Sequence, residues 1–462
     1  MAAAPRGWFP VESSRNSMTA ALETASWAER KSHSIVMDSS SVLAAQVFTL
    51  LAGVLSNFLI ASLGGPYGKG IIYTMQLFSS AALVMANFGL GPAAVFLFRH
   101  EEKCSVEEMA NVLLWPSLLL GCVPVLMLGL SRTGPMHLSG WSGPLLLAFA
   151  AVPAYTLVWN LSYFYLATGE IIPYNLLRAS QSCLFAVLLC GLRFSHVTEL
   201  RWLTASWIAG VCLPAVFALF VLAGTVNVWK FPRARFLQQA FSFGWRSHFG
   251  AVLQYMQHRT DVVLIMWLLS VRDLGVYSLA IGIVELLWYV PQAVSQVLLP
   301  HIADSTEADA NRITSAFCRA SIAVTALLSV TLATLSTLVI PRLLPGFREA
   351  IPVIWILLPG TVIASIFKVL ASDLNGRGQP FKTVLPAVAA LGFSLLGCWW
   401  AIPRFGMTGA ATVTSLSYFL NAGLYLHRYS RLSDISVRSL VLLKTSDLAW
   451  YRGLLLGRRV DS

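Results

Sequence analysis

The sequence predicts an all-α polytopic membrane protein of about twelve transmembrane helices, arranged as two pseudo-symmetric six-helix bundles around a central cavity. Of its 462 residues, 56% are hydrophobic and only 11% are charged, whereas soluble domains average about 25% charged residues. The mean hydropathy is +0.69. Apolar runs of about 20 residues, the length that crosses a bilayer, follow one another along most of the chain. No stretch between them is long enough to form a second soluble domain.

The predicted spans are joined by short connections in which Pro or Gly is frequent. Their ranges are 41–62, 71–98, 109–130, 144–167, 171–192, 203–223, 243–269, 274–299, 313–340, 351–374, 381–402 and 406–427. The first six form a bundle over 38–224, a cytoplasmic linker covers 225–240, and the last six form a bundle over 241–428. Residues 1–37 lack the apolar core of a secretory signal peptide and are predicted to be a disordered cytoplasmic tail, with a second cytoplasmic tail at 429–462.

Basic residues are distributed unevenly over this topology. With the N-terminus inside, 20 of the 32 Lys and Arg lie in cytoplasmic segments and 8, including Lys69, lie on the other side. Both termini are therefore predicted to be cytoplasmic. The net charge of +11 is interpreted as this topology signal, with Arg233, Arg235 and Arg377 serving orientation and contact with anionic lipid. No nucleic-acid partner is expected, because the aromatic residues lie mostly inside apolar runs.

An internal repeat relates the two predicted bundles. Spans one and two are joined by LGGPYGKGIIYTM, and spans seven and eight by LLSVRDLGVYSLA. Gly70 and Gly275 occupy corresponding positions in these two segments. The chain therefore divides into two halves of six spans each.

Three ionisable residues lie near the centres of spans seven and eight: Arg259, Asp261 and Glu285. At mid-bilayer each would cost about 2.5–3.5 kcal/mol if it faced lipid, so each is expected to face protein or water. Either a hydrated cavity or a buried ion pair would satisfy this requirement. Arg259 and Asp261 are two residues apart and point in different directions on a helix, so Glu285 is the nearest candidate partner of Arg259.

Helical periodicity favours the cavity. At 100° per residue, polar residues share one face on each of four helices. These faces are Gln46, Thr49, Gly53, Ser56 and Asn57 in span one; Gln76, Ser79, Ser80 and Asn87 in span two; Ser247, Gly250, Gln254, Gln257, His258 and Asp261 in span seven; and Ser278, Glu285, Tyr289, Gln292 and Gln296 in span eight. Membrane helices also pack through small and polar residues, which explains any single face equally well. Four faces at corresponding positions favour a transporter with a site between its repeats.

Several motifs resemble the multidrug/oligosaccharidyl-lipid/polysaccharide (MOP) exporter superfamily, and within it the Wzx-type polysaccharide-biosynthesis flippases. They are ASLGGPYGKGIIY, ANFGLGPAAVFLFR, YMQHRTDVVLIMWLLSVRDLGVYSLA, ELLWYVPQAVSQVLLPHIA, LNGRGQPFKTVLPAVAALGF and PRFGMTGAATVTSLSYFL, and together they extend over about residues 40–428. The resemblance implies a V-shaped, MATE-like fold in which spans one, two, seven and eight line a central cavity. It also implies a cargo of oligosaccharide on polyprenyl pyrophosphate, moved from the inner to the outer leaflet by alternating access. Asn87 departs from the pattern, since many relatives carry Asp there, and a protonatable group is absent at that position.

Cationic side chains inside the spans are the candidates for binding an anionic head group. Arg259 is the best candidate, because guanidinium binds phosphate in a bidentate manner. A structural ion pair with Glu285 is the alternative. Arg246, Arg178 and Lys368 lie toward the cytoplasmic ends of their spans, where contact with an incoming head group and snorkelling to the interface explain them equally well.

Neutral cavity residues would hydrogen-bond sugar hydroxyls; the candidates are Gln254, Gln292, Asn57, Gln76, Gln46 and Asn87. Asp261 and Glu285 are candidates for coupling transport to a proton or sodium gradient, since a buried carboxylate readily takes up a proton or a cation. His258 would relay a proton, although a hydrogen-bonded cavity histidine without that role is the more common case. Apart from this ion gradient no cofactor is expected, and the seven cysteines show no metal-ligand spacing.

Other functional classes fit the sequence less well. An integral-membrane enzyme of glycan assembly is not expected, because the longest outer loops, 131–143 and 193–202, are too short for a catalytic domain. A multidrug exporter and a lipid II flippase of the same superfamily are the alternatives, although an arginine-rich cavity disfavours cationic drugs. The expected location is the cytoplasmic membrane of a bacterium, with membrane lipids, a polysaccharide polymerase and glycosyltransferases as partners.

Overall fold

The computed structural model describes residues 12–100, 105–131, 142–303, 306–377, 379–433 and 435–442. Within these ranges the backbone is helical apart from short connections, and no strand occurs. The predicted all-α fold class is therefore confirmed.

The first half of the chain contains seven α-helices. They are α1 (Glu12–Asn87), α2 (Leu90–His100), α3 (Val106–Ser131), α4 (Ser142–Ala150), α5 (Val152–Thr168), α6 (Ile171–Phe194) and α7 (Leu200–Thr225). The second half contains α8 (Ala234–Leu268), α9 (Val271–Val284), α10 (Tyr289–Ala303), α11 (Glu307–Leu343), α12 (Ala350–Gly376), α13 (Val384–Ser433) and α14 (Val437–Val441). Short 3₁₀ turns lie at Glu285–Trp288, Pro345–Phe347 and Pro380–Thr383.

Nine helices of the described part are long and apolar enough to cross a membrane. Two of these, Ala44–Phe98 with 55 residues and Val384–Ser433 with 50, are far longer than one crossing requires. Helix α8 is not among the nine, because polar side chains reduce its hydropathy. The multi-pass character is confirmed, and the number of twelve crossings stays a prediction.

Each of the two longest helices contains a glycine at which the chain reverses. Gly65 and Gly406 have φ angles of +59° and +58°, in the left-handed region that residues with a Cβ rarely adopt. After Gly406, the Ser417 hydroxyl donates to a carbonyl oxygen 27 residues earlier, at 2.9 Å. An unbroken helix would separate these groups by about 40 Å, so the chain folds back at the glycine. The predicted boundaries between spans one and two and between spans eleven and twelve are thus helical hairpins.

Two further breaks lie inside predicted spans. Between α1 and α2, Phe88 and Gly89 have φ angles of +45° and +68°, which interrupt the predicted span two ten residues before its C-terminal end at residue 98. Between α9 and α10, the 3₁₀ turn Glu285–Trp288 interrupts span eight at its centre. A 3₁₀ stretch in the middle of a helix often marks a functional hinge.

A polar network joins the start of α11 to the C-terminal ends of α12 and α13. The Asp373 carboxylate is fully buried and accepts from the Arg377 guanidinium at 2.7 Å and from the Thr314 hydroxyl at 2.7 Å. Arg377 also donates to Asn311 at 2.6 Å and to the Tyr429 hydroxyl at 3.0 Å. Its guanidinium therefore joins three helices, rather than lying free for contact with anionic lipid as the sequence suggested.

Some helices extend beyond the predicted boundaries. Helix α8 begins at Ala234, inside the predicted linker, and residues 12–37 of the predicted tail have helical backbone. The connection between α7 and α8 is attached to α3, since Phe231 stacks on Trp115 with ring centroids 4.4 Å apart. Most of the C-terminal tail, 443–462, lies outside the described residues.

Candidate functional site

A cavity of about 420 Å³ lies between the two halves of the chain. Its wall combines the parts of α1 before and after Gly65 with α5, α6, α7, α8, α9, the turn Glu285–Trp288 and the start of α10. The cavity continues into a second chamber of about 500 Å³. The two chambers share Ser80, Arg259, Glu285 and Tyr289. The void predicted between spans one, two, seven and eight is therefore present.

Arg259 lies on the wall of both chambers and joins the two halves. Its Nη1 atom donates to Glu285 Oε1 at 2.8 Å and to the Tyr73 hydroxyl at 3.0 Å. The predicted partner Glu285 is thus confirmed, and Tyr73 is a further partner from span two. The side chains of Arg259 and Glu285 are 26% and 40% exposed, so the pair borders the cavity instead of being sealed in protein. Ion pairing and cavity exposure, treated as alternatives above, occur together.

Lys368 and His258 lie on the wall of the second chamber. The Lys368 ammonium group lies 4.6 Å from the centre of the Trp288 ring, a cation–π contact. His258 meets the same ring edge-on, with centroids 5.2 Å apart. Lys368 therefore faces the cavity, which removes the need to explain it by snorkelling to the interface.

Asp261 does not line the cavity, contrary to the prediction from periodicity. It is 4% exposed, and its carboxylate accepts from the Tyr277 hydroxyl at 2.6 Å, the Thr414 hydroxyl at 3.1 Å and the Val262 amide at 2.8 Å. These donors belong to α8, α9 and α13, so Asp261 lies in the core of the second half. The periodicity argument fails here because α13 also covers this face of α8 and supplies polar partners of its own.

The four polar faces lie only partly on the cavity. The residues that line it are Gly53, Ser56, Asn57, Gln76, Ser80, Gln254, His258, Ser278, Glu285, Tyr289 and Gln292. The predicted members that do not are Gln46, Thr49, Ser79, Asn87, Gly250, Gln257, Asp261 and Gln296, and the side chain of Ser247 lies outside the described residues. Ser79 instead donates to the Ala148 carbonyl oxygen at 2.8 Å, and Gln46 is exposed on the outside of α1. Asn87 directly precedes the break between α1 and α2, which turns it off the cavity face.

The two remaining cationic candidates are not on the cavity wall that the structure describes. The Arg178 guanidinium stacks on Trp159, 3.9 Å from the ring centre, within the first half. The side chain of Arg246 lies outside the described residues. The position of Arg178 therefore does not support a direct contact with a molecule in the cavity, whereas the role predicted for Arg246 stays a prediction.

Comparison with known proteins adds to this geometry. The family model described as "Polysaccharide biosynthesis protein" matches residues 202–345. The probable low-salt glycan biosynthesis flippase Agl15 of Haloferax volcanii is 22% identical over 400 residues, which are 82% of each chain. The lipid II flippase MurJ, in an inward closed conformation, superposes with a TM-score of 0.62 at 14% identity and covers 91% of this chain and 93% of its own. A MATE family multidrug resistance transporter of the MOP superfamily, facing inward, gives 0.59 at 15% identity, over 84% and 95%.

The chain has the fold of the MOP superfamily. The resemblance predicted from the motifs is therefore confirmed. The match to the polysaccharide-biosynthesis model runs from α7 to the end of α11 and includes Arg259 on α8 and Glu285 in the turn after α9. Within the MOP fold, α8 and this turn form part of the cavity wall that belongs to the second half.

Sequence reasoning missed one cation of this cavity. Lys69, assigned above to an outer loop, is 3% exposed, lines the cavity and donates from its ammonium group to Asn57 Oδ1. Span two begins at the Gly65 reversal, several residues earlier than predicted, so Lys69 belongs to its first turns. With that start, Lys69, Tyr73 and Gln76 follow the spacing of one helical face. The Gly65-Pro66 pair was the available signal, since proline favours the first turn of a helix.

Proposed function

We propose that this protein is a flippase that moves oligosaccharide linked to polyprenyl pyrophosphate from the inner to the outer leaflet by alternating access. The observation that carries the proposal is the charge of the cavity. Lys69, Arg259 and Lys368 line its two chambers, and Glu285 is the one carboxylate on the described part of the wall. An enclosed space with excess positive charge favours an anionic cargo.

The three cations differ in how strongly they are already neutralised. Arg259 is paired with Glu285, whereas Lys69 contacts a neutral amide and Lys368 an aromatic ring. A buried ammonium group that has no carboxylate partner loses hydration without full compensation. A phosphate group entering the cavity would supply that compensation at either lysine, and Arg259 would add bidentate binding if Glu285 released it.

The rest of the wall suits a glycan. Asn57, Gln76, Gln254 and Gln292 are predicted sugar-binding residues, and all four line the chambers. Amide side chains both donate and accept, so they match sugar hydroxyls without adding charge.

Two side chains of the cavity wall are themselves well exposed. Val54 of α1 lines the first chamber and is 41% exposed, and Tyr289 of α10 lines both chambers and is 44% exposed. A polyprenyl chain is too apolar to enter a polar chamber and must remain in the bilayer while its head group crosses. We infer that the polyprenyl chain would leave the cavity beside Val54 and Tyr289.

Two alternatives within the same fold are separable by the same assay. Lipid II carries a polyprenyl pyrophosphate too, and the superposition on a lipid II flippase favours it as the second candidate. A cationic drug is disfavoured by the excess positive charge of the wall. A bacterial cytoplasmic membrane, cytoplasmic termini and partnership with a polymerase or glycosyltransferases remain parts of this proposal.

The test uses the full chain in liposomes and a polyprenyl-pyrophosphate oligosaccharide with a fluorescent sugar. An impermeant reductant added outside bleaches the outer-leaflet fraction, and a flippase makes the inner fraction accessible as well. We expect flipping by the wild type, loss with Arg259→Ala and partial recovery with Arg259→Lys. Arg201→Ala is the matched control, since Arg201 is exposed and pairs with Glu199 away from the cavity. Equal flipping by wild type and Arg259→Ala would contradict the proposal, and faster flipping of fluorescent lipid II would reassign the cargo.

A further inference from the structure

At the outer end of the cavity the two halves touch through backbone atoms. A Cβ atom built on Gly70 would overlap the carbonyl oxygen of Val271 and lie 2.9 Å from its Cγ1 atom. One built on Gly275 would overlap the carbonyl oxygen of Pro66 and lie 2.8 Å from the Gly70 nitrogen. The two glycines that correspond in the internal repeat therefore pack directly against each other's helices, and neither position has room for a side chain.

At the opposite end, span two meets the second half again. A Cβ atom on Gly244 of α8 would overlap the Phe88 carbonyl oxygen and lie 3.1 Å from the Gly89 carbonyl carbon. Phe88 stacks on His248 with ring centroids 4.9 Å apart. Phe96 stacks in the same way on Phe243, at 4.4 Å. This contact lies at the point where the backbone of span two is broken.

Span two thus takes part in both contacts, with α9 at its start and with α8 near its end. The cavity lies between these contacts, lined by Tyr73, Gln76 and Ser80 of the same span. In alternating access the two ends of a cavity must open at different times. Contacts between halves that separate during the cycle have to be made and broken repeatedly, and close backbone contacts of this kind require glycine.

We propose that the Gly70–Gly275 crossing is the outer gate of this transporter and that Gly244 against Phe88-Gly89 is the inner gate. The assignment rests on the proposed alternating-access function. Each gate closes only because its glycine lacks a side chain, so an added methyl group must hold that gate open. Gly70→Ala and Gly275→Ala then favour the outward-open state, and Gly244→Ala favours the inward-open state.

Thiol accessibility tests the gates without any cargo. Ser80, which lines both chambers, is replaced by Cys in a chain whose native cysteines are Ser, and an impermeant maleimide is added from either side of the membrane. We expect Gly70→Ala and Gly275→Ala to raise the labelling rate from outside by about fivefold or more, because overpacking a tight contact strongly disfavours the closed state. Gly244→Ala should raise the rate from inside and lower it from outside.

Two glycines serve as matched controls. A Cβ on Gly68, two residues from Gly70, would meet its nearest atom at 3.8 Å, and one on Gly250 of α8 would meet nothing within 4 Å. Gly68→Ala and Gly250→Ala should therefore leave both labelling rates unchanged. Because Gly70→Ala and Gly275→Ala are independent variants of the same outer contact, an increase in outside labelling seen in both reflects gate opening and not a folding defect in one of them.

The proposal is overturned if the outer variants leave the outside rate unchanged, or if outer and inner variants shift accessibility in the same direction. If the wild type fails to flip the cargo but the outer and inner variants shift the labelling rates in opposite directions as expected, the cargo is rejected and the gates are kept. Normal flipping with unshifted labelling would reject the gates and keep the cargo.

Discussion

Neutralising Glu285 should strengthen anion binding while it slows transport. In the structure the Glu285 carboxylate accepts from the Arg259 guanidinium at 2.8 Å, and both side chains border the cavity. An anionic cargo that reaches Arg259 must therefore compete with a carboxylate that also repels it. Glu285→Gln keeps the shape and a hydrogen-bond acceptor and removes only the charge. Release of a tightly held cargo on the other side becomes slower for the same reason.

The expected size follows from charge and exposure. Two unit charges about 4 Å apart interact by ~4 kcal/mol at an effective dielectric constant of 20 and by ~1 kcal/mol in bulk water. The side chains are 26% and 40% exposed, so solvent screening reduces the effect to about 1–2 kcal/mol. Removing the Glu285 charge should then tighten binding of inorganic pyrophosphate by about 5- to 30-fold.

The assay is titration calorimetry of the purified chain with inorganic pyrophosphate at several salt concentrations. Affinity should rise with Glu285→Gln, fall with Arg259→Gln, and depend on salt in both, because the interaction is electrostatic. Gln292→Ala is the comparison for a neutral wall residue that should change pyrophosphate affinity little. Weaker binding by Glu285→Gln would refute the reasoning and show that the carboxylate positions Arg259 instead of competing for it.

Three further predictions follow from other parts of the molecule. Arg377→Met should lower thermal stability by the equivalent of about 3–5 kcal/mol, because it leaves the fully buried Asp373 without its counter-charge. Adding Asp373→Asn should restore part of the lost stability. Equal melting temperatures of the single and double variants would contradict the ion pair between Arg377 and Asp373. Asp261→Asn should preserve pyrophosphate binding, since Asp261 lies off the cavity, but should abolish stimulation of flipping by a proton or sodium gradient; stimulation that survives would remove Asp261 as the coupling residue. The Arg272 guanidinium donates to Glu349 at 2.8 and 3.1 Å and lowers the pKa of that carboxyl group. This half-exposed pair should add at most about 1 kcal/mol to the stability of the fold at pH values above the unfolded pKa of about 4.3, and the effect of Arg272→Ala on melting should disappear as the pH falls below the folded pKa. A difference in melting that persists at that acidity would mean that the effect is not ionic.

The sequence predicted the structure correctly where the membrane strongly restricts which residues can face lipid. A charge cannot face acyl chains at mid-bilayer, so Arg259 had to have a polar partner, and Glu285 was correctly identified as that partner. Span boundaries were placed at 62–71 and 402–406 from the ends of the apolar runs, and the reversals at Gly65 and Gly406 lie at these boundaries. The internal repeat was visible in the two connecting segments that contain Gly70 and Gly275.

Helical periodicity and span boundaries were misleading where a polar residue within a span could either line the cavity or pack against another helix. Asp261 shares a helical face with His258, yet it points at Tyr277 and Thr414 from helices that no periodicity argument on α8 can locate. Lys69 was not recognised as a cavity residue because the start of span two was placed a few residues too late, which assigned Lys69 to a loop instead of a helix.

By itself, the sequence determined the membrane class, the all-α architecture, the two-fold repeat and the pairing across spans seven and eight, because hydropathy and the cost of buried charge act locally along the chain. The tertiary structure alone decided which polar faces line a cavity, that Lys69 belongs to it, and that glycines from opposite halves meet at its ends. Those facts depend on how helices distant in sequence pack together, and the contribution of a residue to packing is set by its neighbours in space.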